Sequence, residues 1–114
     1  MLAANYDITL DRAADYSFVL TIQDASLTAV NITSATFYAD IRNTSTKAQA
    51  VQFSSSLTTP LSGIVTFTLS KANTKLLKAG EGLYEWDIFM VLNGTTRRLI
   101  YGSVTVRPQF TNDV

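Results

Sequence analysis

Leu69-Ser-Lys-Ala-Asn-Thr-Lys-Leu-Leu-Lys-Ala-Gly-Glu-Gly-Leu-Tyr-Glu-Trp-Asp-Ile-Phe-Met-Val-Leu92 contains two patterns in succession, and together they decide the fold. Ser70 is an N-cap, Leu76 and Leu77 supply an apolar side, and Gly80 or Gly82 ends the segment, which predicts one short helical turn. From Tyr84 onward, Tyr84, Trp86, Ile88, Met90 and Leu92 alternate with Glu85, Asp87, Phe89 and Val91. That period of two is a long strand with one face in a core.

Outward from this stretch the same period recurs between turn residues. Tyr6, Ile8 and Leu10 mark a first short strand, and Tyr16, Phe18, Leu20 and Ile22 the apolar face of a second. Gln23 to Thr28 reads as a hairpin turn with Leu27 near its tip, followed by a short strand beginning at Val30 and Ile32. Phe37, Ala39 and Ile41 line another strand, whose other face carries Thr36, Tyr38, Asp40 and Arg42. Asn43 to Gln49 is a polar loop, Val51 and Phe53 form a weak strand, and Ser54 to Gly63 is the most loop-like stretch. Val65, Phe67 and Leu69 resume the core pattern. The expected fold is all-β: a single domain over residues 1–114, an antiparallel, immunoglobulin-like β-sandwich of about eight strands with one helical turn near residues 71–79.

The last hairpin poses a register question. A two-residue Asn93-Gly94 turn carried straight through pairs Leu92 with Thr95 and Trp86 with Tyr101, turning Ile100 from the core. A three-residue Asn93-Gly94-Thr95 loop pairs Ile88 with Ile100 and Trp86 with Gly102, aligning both apolar sets and setting a small residue beside the indole. The second register is preferred. It puts Phe89, Val91, Leu99 and Tyr101 on the outward face as an apolar patch, which with Leu27 makes the candidate interface.

Composition narrows the chemistry. The 114 residues include no cysteine and no histidine, which removes disulfides, thiol nucleophiles, thiolate metal sites and imidazole bases. Nine basic and nine acidic residues cancel and are scattered, so no footprint for a phosphate backbone exists and no nucleic-acid partner is expected. The N-terminal Met-Leu-Ala-Ala-Asn-Tyr-Asp lacks a charged and apolar leader, and no apolar run approaches the roughly 20 residues that span a bilayer, so no membrane partner is expected.

Local carboxylate clusters do not change this picture. Asp7, Asp11 and Asp15 lack the spacing of a calcium loop and read as edge-strand charges. Glu85 and Asp87 lie on one face of one strand and do not converge across a substrate, as general acid and base must. Three sequons, at Asn31, Asn43 and Asn93, are chance matches in a chain rich in Ser and Thr. No catalytic residue, metal ligand or cofactor site is expected.

Three segments carry a family resemblance. They are Asp7-Ile-Thr-Leu-Asp-Arg-Ala-Ala-Asp-Tyr-Ser-Phe-Val-Leu-Thr-Ile-Gln-Asp24, Ala29-Val-Asn-Ile-Thr-Ser-Ala-Thr-Phe-Tyr-Ala-Asp-Ile-Arg42, and the Leu69 to Leu92 stretch. With the final Gly102-Ser-Val-Thr-Val-Arg-Pro108, they resemble a group of small tailed-bacteriophage virion proteins, and are similar to the N-terminal modules of baseplate adaptor proteins. Leu27 and Ser34 stand where that group commonly has glycine. The resemblance implies a non-enzymatic virion structural protein acting in the tail, baseplate or fibre attachment, in multiple copies. Its partners would be other phage virion proteins and further copies of itself, and its place the virion after synthesis in the host cytoplasm. A capsid decoration or cement protein is the neighbouring alternative. A carbohydrate-binding module of a host-recognition fibre, using Tyr38, Tyr101 and Trp86, is the alternative of a different class.

Overall fold

In the computed structural model, which describes residues 4–111, the described residues form nine strands in two facing sheets. Met1 to Ala3, part of the N-terminal stretch read above, and residues 112–114 lie outside the described range. The larger sheet contains β1 (Ala4–Asn5), β2 (Ile8–Asp11), β4 (Thr36–Asn43), β5 (Gln49–Gln52), β8 (Gly80–Leu92) and β9 (Thr95–Arg107). Its order is β1-β9-β8-β4-β5, with β2 also on β9. The smaller sheet is β3 (Tyr16–Thr21), β7 (Ile64–Leu69) and β6 (Ser54–Thr59), with β7 in the middle. The fold is an all-β sandwich. Its larger sheet is mixed and not purely antiparallel, because β1 and β2 both run parallel to β9.

The inner faces carry the residues that alternation assigns to them. Val65, Phe67 and Leu69 of β7 and Ile41, Ile88 and Val104 of the larger sheet are fully buried, and Trp86 is 3% exposed. Phe67 stacks on Phe18 at 5.1 Å, and Trp86 meets Phe18 edge-on at 5.6 Å. Aromatic pairs of this geometry contribute roughly 0.5–1.5 kcal/mol beyond their buried area. The indole N–H of Trp86 donates to the Tyr6 carbonyl at 2.8 Å, so the buried donor is satisfied by the N-terminal segment crossing beside it.

Several expectations are corrected. Ser54 to Gly63, read as loop, contains β6 and a 3-10 turn over Pro60–Ser62. Only Leu57 of β6 is even half-buried, so no alternation reveals the strand, and the ladder offered by β7 orders it. No strand forms at Val30 and Ile32: Ile32 is fully buried, yet its N–H donates to the Pro60 carbonyl in a loop. Tyr6 lies between β1 and β2 and is 61% exposed, while Ile8 and Leu10 are buried as expected.

The helical turn, α1 (Lys71–Thr74), is shorter than residues 71–79. Ser70 does cap it, its hydroxyl accepting from the Asn73 N–H at 3.3 Å. Leu77 is buried but Leu76 is 68% exposed. The carbonyls after the turn are satisfied from a distance, as Arg12 donates to Lys75 O at 2.9 Å and Leu77 O at 3.0 Å, and also to Gln109 Oε1 at 2.6 Å. Gly80 and Gly82 do not cap the helix. They have φ values of 146° and 70° in the irregular start of β8, where register against β9 shifts before Tyr84.

Candidate functional site

The register of β8 and β9 decides which side chains face outward. Asn93 and Gly94 have φ values of 51° and 77°, the two left-handed residues of a tight two-residue turn, and Leu92 pairs with Thr95. Trp86 nevertheless pairs with Gly102, and Ile88 with Ile100, as the apolar alignment requires. A bulge reconciles the two: register shifts between Ile88 and Phe89, and Leu99 is the extra residue on β9. The expected three-residue loop does not form, while the expected pairing of Trp86 with Gly102 and Ile88 with Ile100 does. Leu99 is corrected with the loop, since the bulge turns its side chain inward and leaves it 6% exposed.

The outer face of the larger sheet can be read in rows across β4, β8 and β9. Tyr38 stands beside Phe89, which stands beside Arg98; the next row is Asp40, Asp87 and Tyr101, and the next Arg42, Glu85 and Ser103. On the other side of Phe89, Thr36, Val91 and Thr96 complete the face. Phe89 and Val91 are half-buried, Tyr38 is 51% exposed and Tyr101 36%. Of the five residues the sequence singles out, Phe89, Val91 and Tyr101 share this face. Leu99 is in the core, and Leu27 is elsewhere.

Asp40 and Asp87 lie directly opposite on neighbouring strands, an unfavourable placement for like charges. Cations on both sides offset it. Arg42 pairs with Asp40 at 2.9 Å, Gln49 Nε2 donates to the other Asp40 oxygen at 2.9 Å, and Arg98 reaches Asp87 at 3.3 Å. The Arg98 guanidinium also sits 4.8 Å over the Tyr101 ring, and Lys47 pairs with Glu85 at 2.7 Å. Burial pushes the Asp87 carboxyl pKa up and Asp40 adds to the rise, while Arg98 and Arg42 oppose it. The charged half of the face forms the floor of an open trough of about 600 Å³, walled by Asn5 and Asp7 on one side and Thr44 and Lys47 on the other.

A second concavity, about 420 Å³, opens at the end of the sandwich between Ile22 and Val30 on one side and Met90, Leu92 and Leu99 on the other, with Arg97 at its rim. The 22–30 loop borders it. Asp24 shapes this loop, its carboxylate accepting from the N–H groups of Ser26 and Thr28 at 2.9 and 3.0 Å. That turn holds Leu27 at φ 62°, 75% exposed, a conformation costly for a branched side chain.

Glu85 and Asp87 lie on the outer face that alternation assigns to them, and Arg98, which alternation does not connect to them, ties Asp87 and Tyr101 into one group. The Asn31 and Asn43 side chains act in turns, accepting from the N–H groups of Thr33 and Ser45. No protein-family model matches the chain, and no curated protein matches it in sequence.

Proposed function

We propose that this chain is a non-enzymatic structural protein of a tailed-bacteriophage virion, an adaptor module of the tail, baseplate or fibre attachment present in many copies. The resemblance of the three segments brings the reading. The observation that carries it is the outer face of β4, β8 and β9. Tyr38, Phe89, Val91 and Tyr101 form a partly exposed apolar band on a continuous sheet, bordered by already paired charges. An apolar centre with a polar rim is the anatomy of a docking surface. A band this small suffices where identical copies dock together, since the first contact raises the effective concentration of the next. The partners are other virion proteins, and the chain is made in the host cytoplasm before incorporation.

The test is incorporation. Mass spectrometry of purified particles should find the chain, and electron microscopy of a tagged version should place it at the tail. A variant with Tyr38→Glu and Val91→Glu should fold as the parent does and be lost from particles. Absence of the parent chain from particles refutes the reading, and density confined to the capsid lattice transfers it to a decoration protein. The trough supports a second reading, a saccharide site, because its floor combines Tyr101 with paired carboxylates and guanidinium groups able to match sugar hydroxyls. Trp86 also lines the trough but offers no open ring face for stacking, being 3% exposed with its N–H on Tyr6. Glycan-array binding lost in Tyr101→Ala would favour this second reading, and no glycan binding would remove it.

A further inference from the structure

Two sheets have four edges, and three of these are protected against further pairing. The β5 edge is four residues long beside an irregularity at Ile41 and Arg42, and the β6 edge shifts register between Ser56 and Thr59. The third is two short pieces, β1 and β2, interrupted at Tyr6 and Asp7. Short, bulged or broken edges resist strand addition.

β3 has none of these devices. Its six residues, Tyr-Ser-Phe-Val-Leu-Thr, pair with β7 in unbroken register and include no charge, proline or glycine. The strands that precede it in the chain go to β9, and among the described residues no strand lies on its other side. Among the described residues no turn or loop hydrogen bond reaches residues 16–21, and the Lys71 N–H nearby donates to Asp15. Burial shows the same gap. Tyr16, Phe18 and Leu20 share core rows with Leu69, Phe67 and Val65, yet the β7 members are 0% exposed and the β3 members only half-buried.

We infer that β3 pairs antiparallel with β3 of a second copy across a two-fold axis at Val19, joining the two small sheets into one of six strands. Opposite residues of an antiparallel pair point to the same face, so inward residues must meet inward residues. Only a two-fold centred on a residue satisfies that. Centring on Phe18 sets Asp15 against Thr21 and draws a carboxylate already held by Lys71 into the ladder. Centring on Val19 sets Phe18 against Leu20, Ser17 against Thr21 and Tyr16 against Ile22, with no charge opposed. It also covers Val19, 62% exposed on the outer face. A closed two-fold contact of this kind uses one patch on both subunits.

The whole chain tests this. Sedimentation equilibrium should give a mass rising with concentration to twice 12.5 kDa, and Val19→Lys should abolish the dimer with the circular dichroism spectrum unchanged and, at dilutions where the parent is monomeric, the same melting curve. Because the chain has no cysteine, Val19→Cys supplies a single thiol. Opposed residues lie about 4.5–5.5 Å apart at Cα, inside the range a disulfide accepts, so mild oxidation should link two copies through it. Gln52→Cys, on the exposed β5 edge, should link far more slowly. A monomer at millimolar concentration, a dimer that survives Val19→Lys, or equal linking of the two cysteine variants overturns the inference. It rests on strand pairing alone, so a monomer would leave the virion reading standing.

Discussion

A single methyl group added at Gly102 would strike backbone. A Cβ built there lies 2.2 Å from the Tyr6 carbonyl oxygen and 2.6 Å from its carbon, where ordinary contact begins at 3.4 Å. The backbone of Gly102 is not left-handed, so space alone requires glycine here. Gly102→Ala must therefore push the Tyr6 to Asp7 segment outward by about 1 Å, the overlap in those distances. Three hydrogen bonds anchor that segment: Trp86 Nε1 to Tyr6 O at 2.8 Å, Tyr6 N to Tyr101 O at 2.8 Å, and Ser103 N to Asp7 Oδ1 at 2.9 Å. At about 1 kcal/mol for each weakened bond, with overpacking strain of about 1–3 kcal/mol partly relieved as they yield, the expected loss is about 3 kcal/mol. Urea unfolding followed by fluorescence of Trp86, the one tryptophan, and by circular dichroism measures it. Combining Gly102→Ala with Trp86→Phe, followed by circular dichroism alone, should cost about 1 kcal/mol less than the sum of the two, because both act on the same bond. A loss below about 1 kcal/mol for Gly102→Ala, or strict additivity, would show that the N-terminal crossing does not fix this position.

Two further outcomes follow from the surface. Burial holds the Asp87 pKa above the ordinary value of 3.8, so its contribution to stability is fully present below that value and is lost as pH rises through the raised folded value. Asp87→Asn should therefore raise the melting temperature at neutral pH and flatten its fall between about pH 3 and 7, and a lower melting temperature at neutral pH would contradict the assignment. Leu27→Gly should relieve the left-handed strain at φ 62° and stabilise the chain by about 0.5–1 kcal/mol, net of the entropy glycine adds to the unfolded state. Calorimetry that finds a less stable variant would mean that Leu27 makes contacts outweighing its backbone strain.

The aromatic band and the open β3 edge occupy different parts of the sandwich. The aromatic band lies on the outer face of the larger sheet, and the open edge belongs to the smaller one. Two copies joined at β3 would leave both aromatic bands free, so self-association and docking of a partner on the band are compatible.

Local alternation was sufficient to place Trp86, Ile88, Phe67 and Val104 in one core and to pair Trp86 with Gly102, because side-chain direction in a strand follows directly from residue parity. The serine cap before α1 was legible for the same reason: it needs only the next three residues. Leu99 was misplaced because parity fails at a bulge, and a bulge records a compromise between a tight turn and a core alignment several residues away. β6 was hidden because its side chains are almost all exposed and only its partner orders it. The parallel placement of β1 and β2 on β9, the backbone that excludes a side chain at Gly102, and the edge they leave open on β3 join segments that are distant in sequence. Such pairings are set by which edges remain free once the sheets have met, and that is a property of the assembled sandwich.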